Sequence, residues 1–149
     1  MSILMLGSIN HQLDEKGRMR IPARFHSSIS GSVTMMPGKQ KCVYIVSGDA
    51  ADKIVEPLFS QSPYVTDPEL DETASLISSY TELVDEDGQG RLMFPKLLAK
   101  YADIKKEIVV VGKGTYLEVW AKEVWDARFG VLNPDKLKGM LESLTKRGV

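Results

Sequence analysis

Apolar and polar positions along this chain fall into short periodic blocks. Arg18-Met19-Arg20-Ile21 alternates polar with apolar, the period of a half-buried strand. Pro22 follows; it holds the preceding residue extended and suits the first position of a helix. "PARFHSSI" then spaces Phe25 and Ile29 four apart, and "PKLLAKYA" does the same with Leu98 and Ala102 behind Pro95. Both read as short helices burying one stripe. "IVVVG" (108–112) is a β-branched run expected to form a central strand. "TYLEVWA" (115–121) alternates Leu117, Val119 and Ala121 against Tyr116, Glu118 and Trp120. "GDAADKIVEPLF" (48–59) and "KEVWDARFGVL" (122–132) read as helices. Residues 60–80 start as a Pro/Ser loop and turn helical, with Thr66 or Asp67 beside Pro68 as the cap. "NPDKLKGMLESLTKRG" (133–148) reads as an amphipathic helix with Leu137, Met140, Leu141 and Leu144 on one face. Such a stripe is usually core; near a chain end it can instead dock on a neighbouring subunit.

The blocks repeat. At an offset of 73 residues Asp14 falls on Asp87, Lys16 on Gln89, Gly17 on Gly90, Arg18 on Arg91, Pro22 on Pro95 and Phe25 on Leu98. Each half reads strand, tight turn, short strand, helix, strand, strand, helix, which points to an internal duplication. The expected boundaries are 1–60 for the first repeat, 61–80 for a connecting loop and helix, 81–130 for the second repeat and 131–149 for a C-terminal helix. The turns carry their own chemistry. Asp14 and Asp87 can accept from backbone N–H groups two residues on, and Gly17 and Gly90 permit the positive φ that closes such a turn.

Composition adds less than charge placement does. The 149 residues are 43% hydrophobic and 26% charged, enough for one packed domain with an ordinary wet surface. The net charge of −1 conceals two basic flanks around an acidic middle. Residues 1–53 hold seven Lys/Arg against four Asp/Glu, residues 54–90 nine acids and no base, and residues 91–149 twelve bases against seven acids. A phosphate-binding surface needs only a local positive field. The single cysteine, Cys42, lies in a strand-like run and reads as a buried small hydrophobe. No apolar run approaches the roughly 20 residues that span a bilayer, and the opening "MSILMLGSINHQL" does not read as a leader peptide. A cytoplasmic protein without membrane contact is the expectation.

Enzymatic constellations are missing: no phosphate-binding loop, no dinucleotide fingerprint and no nucleophile elbow. His11 and His26 lack partners at metal-ligand spacing, and Asp85-Glu86-Asp87 lacks the pattern of a calcium loop. Neither an enzyme nor a cofactor or metal site is expected. The turns remain. Lys16 at a tip and Arg18 and Arg20 two apart on one strand face bring three cations together, with Arg24 on the following helix. An arginine fork matches guanine O6 and N7, and lysine suits phosphate. The alternative is that these arginines pair with Asp14, Glu15 and the acidic middle and are structural.

"MLGSINHQLDEKGRMRIPARF" resembles the opening of the MraZ family, and "GQGRLMFP", "KEIVVVGKG" and "LEVWAKEVW" resemble its second half in order, so that the likeness runs from residue 5 to about 129. The resemblance implies an α+β fold of AbrB-like type: a swapped-hairpin β-barrel made of two duplicated βαβ-type halves in one chain, with flanking helices. It further implies a nucleoid-associated transcriptional regulator, a repressor of its own operon. Such a protein assembles as a ring-shaped homo-oligomer on double-stranded DNA with short tandem promoter repeats, in a gene cluster for division and cell-wall functions. It carries DNA-reading roles onto Lys16, Arg18 and Arg91. The chain departs from the pattern at Glu86, where the family has an apolar residue. With Gln89 in place of a lysine and Met93 in place of Arg20, the second turn loses two of three cations. The expectation is that the first turn carries most of the contact and that Arg91 is secondary. A rival reading is an AbrB-like protein-interaction module, antitoxin-like, without sequence-specific DNA readout.

Overall fold

Why the first strand of each half sits where it does follows from what its neighbours can offer. In the computed structural model, which describes residues 4–29, 31–60, 62–64 and 67–149 and only the backbone of Asp49, β1 (Met5–Gln12) runs into the first turn and β2 (Arg18–Arg20) leaves it. α1 (Ala23–His26), β3 (Ser32–Pro37), β4 (Val43–Val46) and α2 (Gly48–Phe59) follow. After α3 (Pro68–Tyr80) the same order of elements returns as β5 (Glu82–Asp85), β6 (Arg91–Met93), α4 (Lys96–Tyr101), β7 (Glu107–Gly114), β8 (Leu117–Ala121) and α5 (Lys122–Phe129); α6 (Pro134–Lys146) comes last.

The two halves exchange strands. β1 lies antiparallel on β7, and β5 lies antiparallel on β3, so each leading strand finds its hydrogen-bond ladder on the other half. β4 and β8 join the halves at the centre, Tyr44 opposite Glu118. The result is a six-stranded sheet in the order β1-β7-β8-β4-β3-β5, with a separate two-stranded ribbon of β2 and β6. β1 and β5 each have one strand neighbour, so the pairing among the described residues is an open sheet plus a ribbon and closes no barrel.

The core forms where both halves send apolar side chains. Met19, Leu92, Phe25, Leu98, Ile108, Val110, Leu117 and Val119 are all buried in one cluster. α1 is a single turn ending at His26, and Ile29 reaches the core from beyond it. β8 does not show the expected exposed face: all five of its residues are buried. Its second face is covered by α5, whose Trp125 and Phe129 pack edge-on against Trp120 at 5.7 and 5.3 Å between ring centres. Glu118 survives there because Trp120 Nε1 donates to it at 2.9 Å and Lys113 Nζ lies 3.5 Å away. Cys42 belongs to the same cluster, and burial pushes its thiol up to about 12, so no thiolate forms at neutral pH.

Asp67 caps α3, its side chain accepting from the N–H groups of Glu69 and Leu70 at 2.9 and 3.0 Å with Pro68 in the first turn. Thr66 lies outside the described residues. The stripe on α6 is not core in this chain, since none of that helix's described residues is buried. No helix among the described residues is long and apolar enough to cross a membrane.

Candidate nucleic-acid interface

The two D-x-x-G-R turns are built alike, bond for bond. In the first, Asp14 Oδ1 accepts from the N–H groups of Lys16 and Arg18 at 3.0 and 2.9 Å, and Asp14 Oδ2 accepts from Arg18 Nε at 2.7 Å. In the second, Asp87 Oδ1 accepts from Gln89 and Arg91 at 2.8 and 2.9 Å, and Asp87 Oδ2 accepts from Arg91 Nε at 2.8 Å. Gly17 and Gly90 take φ of 81° and 74°, and each donates its N–H at 3.0 Å to the carbonyl of the turn's aspartate. A side chain at either glycine would oppose that conformation. These bonds hold the aspartates ionised. The Arg18 N–H, then the guanidinium and the Lys16 N–H, lower the Asp14 carboxyl below its usual range. Led by the Arg91 N–H, the same set lowers Asp87 to about 2.

Arg18 is therefore paired with Asp14, as the structural alternative supposed, and Arg91 with Asp87 of the acidic middle, each through Nε alone. An arginine has five N–H donors, and this bond uses one. The remaining four, on the two Nη groups, have no partner among the described residues. Each guanidinium is thus aimed by its aspartate without being spent. Both side chains are about one-fifth exposed, 22% and 23%.

The ribbon decides which cations meet. β2 and β6 pair antiparallel with Arg18 opposite Met93, Met19 opposite Leu92 and Arg20 opposite Arg91. Met19 and Leu92 are buried, so the alternation of a strand turns Arg18, Arg20, Arg91 and Met93 to the opposite face. Three arginines on one outward ribbon face is the main electrostatic feature of the site. Lys16 and Gln89 stand exposed at the two turn tips.

This geometry corrects the count made from sequence. Arg20 belongs spatially to the second turn: it lies across from Arg91, and its Nη1 donates to the Gln89 carbonyl. Met93 sits at the first turn's end, across from Arg18. Each end of the ribbon therefore holds two cations, Lys16 with Arg18 and Arg20 with Arg91, and the second turn is not the depleted one. The acidic run stays close: Glu86 Oε2 lies 3.8 Å from where a Cβ on Gly90 would stand, although its bonds and those of Asp85 go to the first half. Asp85 accepts from Ser32 Oγ, and Glu86 reaches back to the first half, accepting from the Gly31 N–H at 3.0 Å with His26 Nε2 3.0 and 3.3 Å from its two oxygens. Glu86 and His26 form a clasp between the base of the second turn and the end of α1. Nothing in their spacing announced it, because 60 residues separate them. Arg24 stands apart from the ribbon trio. Its guanidinium lies over β1 at Gly7, where an added Cβ would come within 3.0 Å of Nη1, and 5.9 Å from the Phe25 ring centre.

Comparison with known proteins places the chain in a family. A family model described as "MraZ protein, putative antitoxin-like" matches residues 78–136. The chain is 32% identical over 129 residues to the "Transcriptional regulator MraZ" of Thermomicrobium roseum, covering 87% of this chain and 89% of that protein. The protein of that name from Bifidobacterium longum is 32% identical over 124 residues, 83% of this chain and 81% of its own. For Dictyoglomus thermophilum the values are 32% over 123 residues and 83% of each chain. Similarity at that level, over most of the length of every protein compared, means that this chain belongs to the MraZ family.

Proposed function

We propose that this chain is a transcriptional regulator, a non-enzymatic one, that binds double-stranded DNA through the β2–β6 ribbon. The observation that carries the reading is the trio Arg18, Arg20 and Arg91 on one outward face of a ribbon whose other face is anchored in the core. A two-stranded ribbon fits the roughly 12 Å major groove. Positions two apart on a strand lie about 7 Å from each other, close to two base-pair steps. Arg18 and Arg91, pre-aimed by their aspartates, offer Nη pairs to guanine edges, while Lys16 and Arg24 supply phosphate contact. Both turns take part.

In this reading the fold is the swapped-hairpin arrangement of two duplicated halves, supported by the exchange of β1 and β5 and by the matching turns. Residues 1–60 and 81–130 are the repeats, 61–80 the connector and 131–149 the C-terminal helix. The protein works on the nucleoid in the cytoplasm and represses its own operon. A ring of copies engages successive promoter repeats, so that effective concentration multiplies a modest single-site affinity.

The test is an electrophoretic shift of the DNA upstream of the gene, run against a scrambled competitor. Wild type should shift it specifically, and Arg20→Ala with Arg91→Ala should lose that preference while keeping an unchanged circular dichroism spectrum. Binding that ignores sequence, or that survives in the variant, would overturn the reading. The antitoxin-like wording of the family description favours a second reading, capture of a protein partner. It predicts no specific shift and a toxin-like reading frame beside the gene.

A further inference from the structure

Two apolar surfaces of this chain are left without a counterpart, and they are unlike each other. One is α6. Leu137, Met140 and Leu141 are 42%, 51% and 53% exposed, and with Leu144 they follow the i, i+3, i+4, i+7 spacing of a single helical face. The helix is placed as an arm, its Lys136 Nζ donating to the Phe129 carbonyl at the end of α5 and Asn133 capping it at 2.8 Å. The other is a groove of about 490 Å³ between the α2–α3 pair and the β3–β4 hairpin, lined among others by Ile54, Leu58, Leu76, Ile77, Tyr80 and Tyr101. Two of its tyrosine hydroxyls are already bonded: Tyr101 Oη donates to the Gly38 carbonyl at 2.6 Å and Tyr44 Oη accepts from the Lys39 N–H at 3.1 Å. The Ile54, Leu58, Leu76 and Ile77 side chains remain to be covered.

Their charges are opposite. Residues 134–149 carry Lys136, Lys138, Lys146 and Arg147 against Asp135 and Glu142. The helices walling the groove expose Asp52, Glu56, Glu69, Asp71 and Glu72 against Lys53, with Lys39 at the rim. We propose that α6 of one copy seats its Leu137–Leu144 stripe in the α2–α3 groove of a second copy, its lysines facing the acidic helices. This rests on the self-assembly in the reading above and names the two faces that perform it. Because the faces differ, every contact leaves one arm and one groove unused, which is the rule for a ring that closes or a filament that runs on.

The test uses the full chain and light scattering behind gel filtration. Leu141→Glu, on a helix none of whose residues is buried, and Leu76→Glu, on a side chain 65% exposed, each place a charge in the contact without touching the core. Each should weaken association at least tenfold and yield monomer with an unchanged circular dichroism spectrum. Mixed in equal amounts, the two should form a dimer and nothing larger, since one intact arm meets one intact groove. Should Leu76→Glu unfold, Glu69→Lys with Asp71→Lys takes its place, weakening assembly that Lys136→Glu with Lys138→Glu then restores. An assembled wild type with either variant unaffected, or a mixture that stays monomeric, would overturn this inference alone. A monomeric wild type would overturn self-assembly with it, and leaves DNA binding by the ribbon to its own test.

Discussion

The turn at residues 14–18 and the turn at residues 87–91 share a backbone and differ at the rim. Both tie an aspartate to two N–H groups and one guanidinium, the matching bonds differing by 0.2 Å or less. At the tips, Lys16 faces Gln89, and along the strands Arg20 corresponds to Met93. Counted along the chain the first turn has three cations and the second has one. In space they have two each, because antiparallel pairing carries Arg20 across to Arg91. Geometry is thus set by the Asp-Gly-Arg frame, whereas charge is set by strand pairing, and the two need not follow the same copy of the motif.

That comparison breaks if the turns differ greatly in DNA binding. Arg18→Ala and Arg91→Ala should each cost about 1–3 kcal/mol, roughly 5- to 150-fold, on a specific duplex, and by similar amounts in anisotropy titrations. A large loss at Arg18 with none at Arg91 would restore the count made along the chain. Next in size is the clasp. Glu86→Leu removes its acceptor for Gly31 and His26, and should cost about 1 kcal/mol and a few degrees of Tm in calorimetry, with little change in the first turn.

The tips come third. Lys16→Gln should lower the slope of log affinity against log salt by about one, and Gln89→Lys should raise it by as much. The smallest effect is in acid. Both turn aspartates are lowered in the folded chain, so what they contribute is complete above the ordinary carboxylate value of roughly 3.9 and is lost as pH falls through their folded values. The Gln89 amide resonance should therefore hold to below pH 3 and move as Asp87 titrates near 2. Movement near pH 4 would mean the bonds do not form in solution.

Much of this was legible in the sequence. Asp, Gly and Pro act locally, so the turns, the α3 cap and the Pro-led helices could be placed from spacing alone. What depends on distant pairing could not be. Arg20 changes ends because β2 meets β6, Glu86 finds His26 across 60 residues, and Glu118 is buried beside Trp120, which the helix after its strand covers. The α6 stripe fits a core helix equally well in pattern, and only the fold shows that none of its residues is buried.

The central claim, that arginines on the ribbon read guanine edges, is tested most directly by a double-mutant cycle between Arg18 and a single guanine of the bound repeat replaced by 7-deazaguanine. If the contact exists, the base change weakens wild type by about tenfold or more and adds almost nothing in Arg18→Ala. If at every guanine of the repeat the two losses simply add, for Arg18 and likewise for Arg91, neither arginine contacts an N7 and the ribbon is not the reading head.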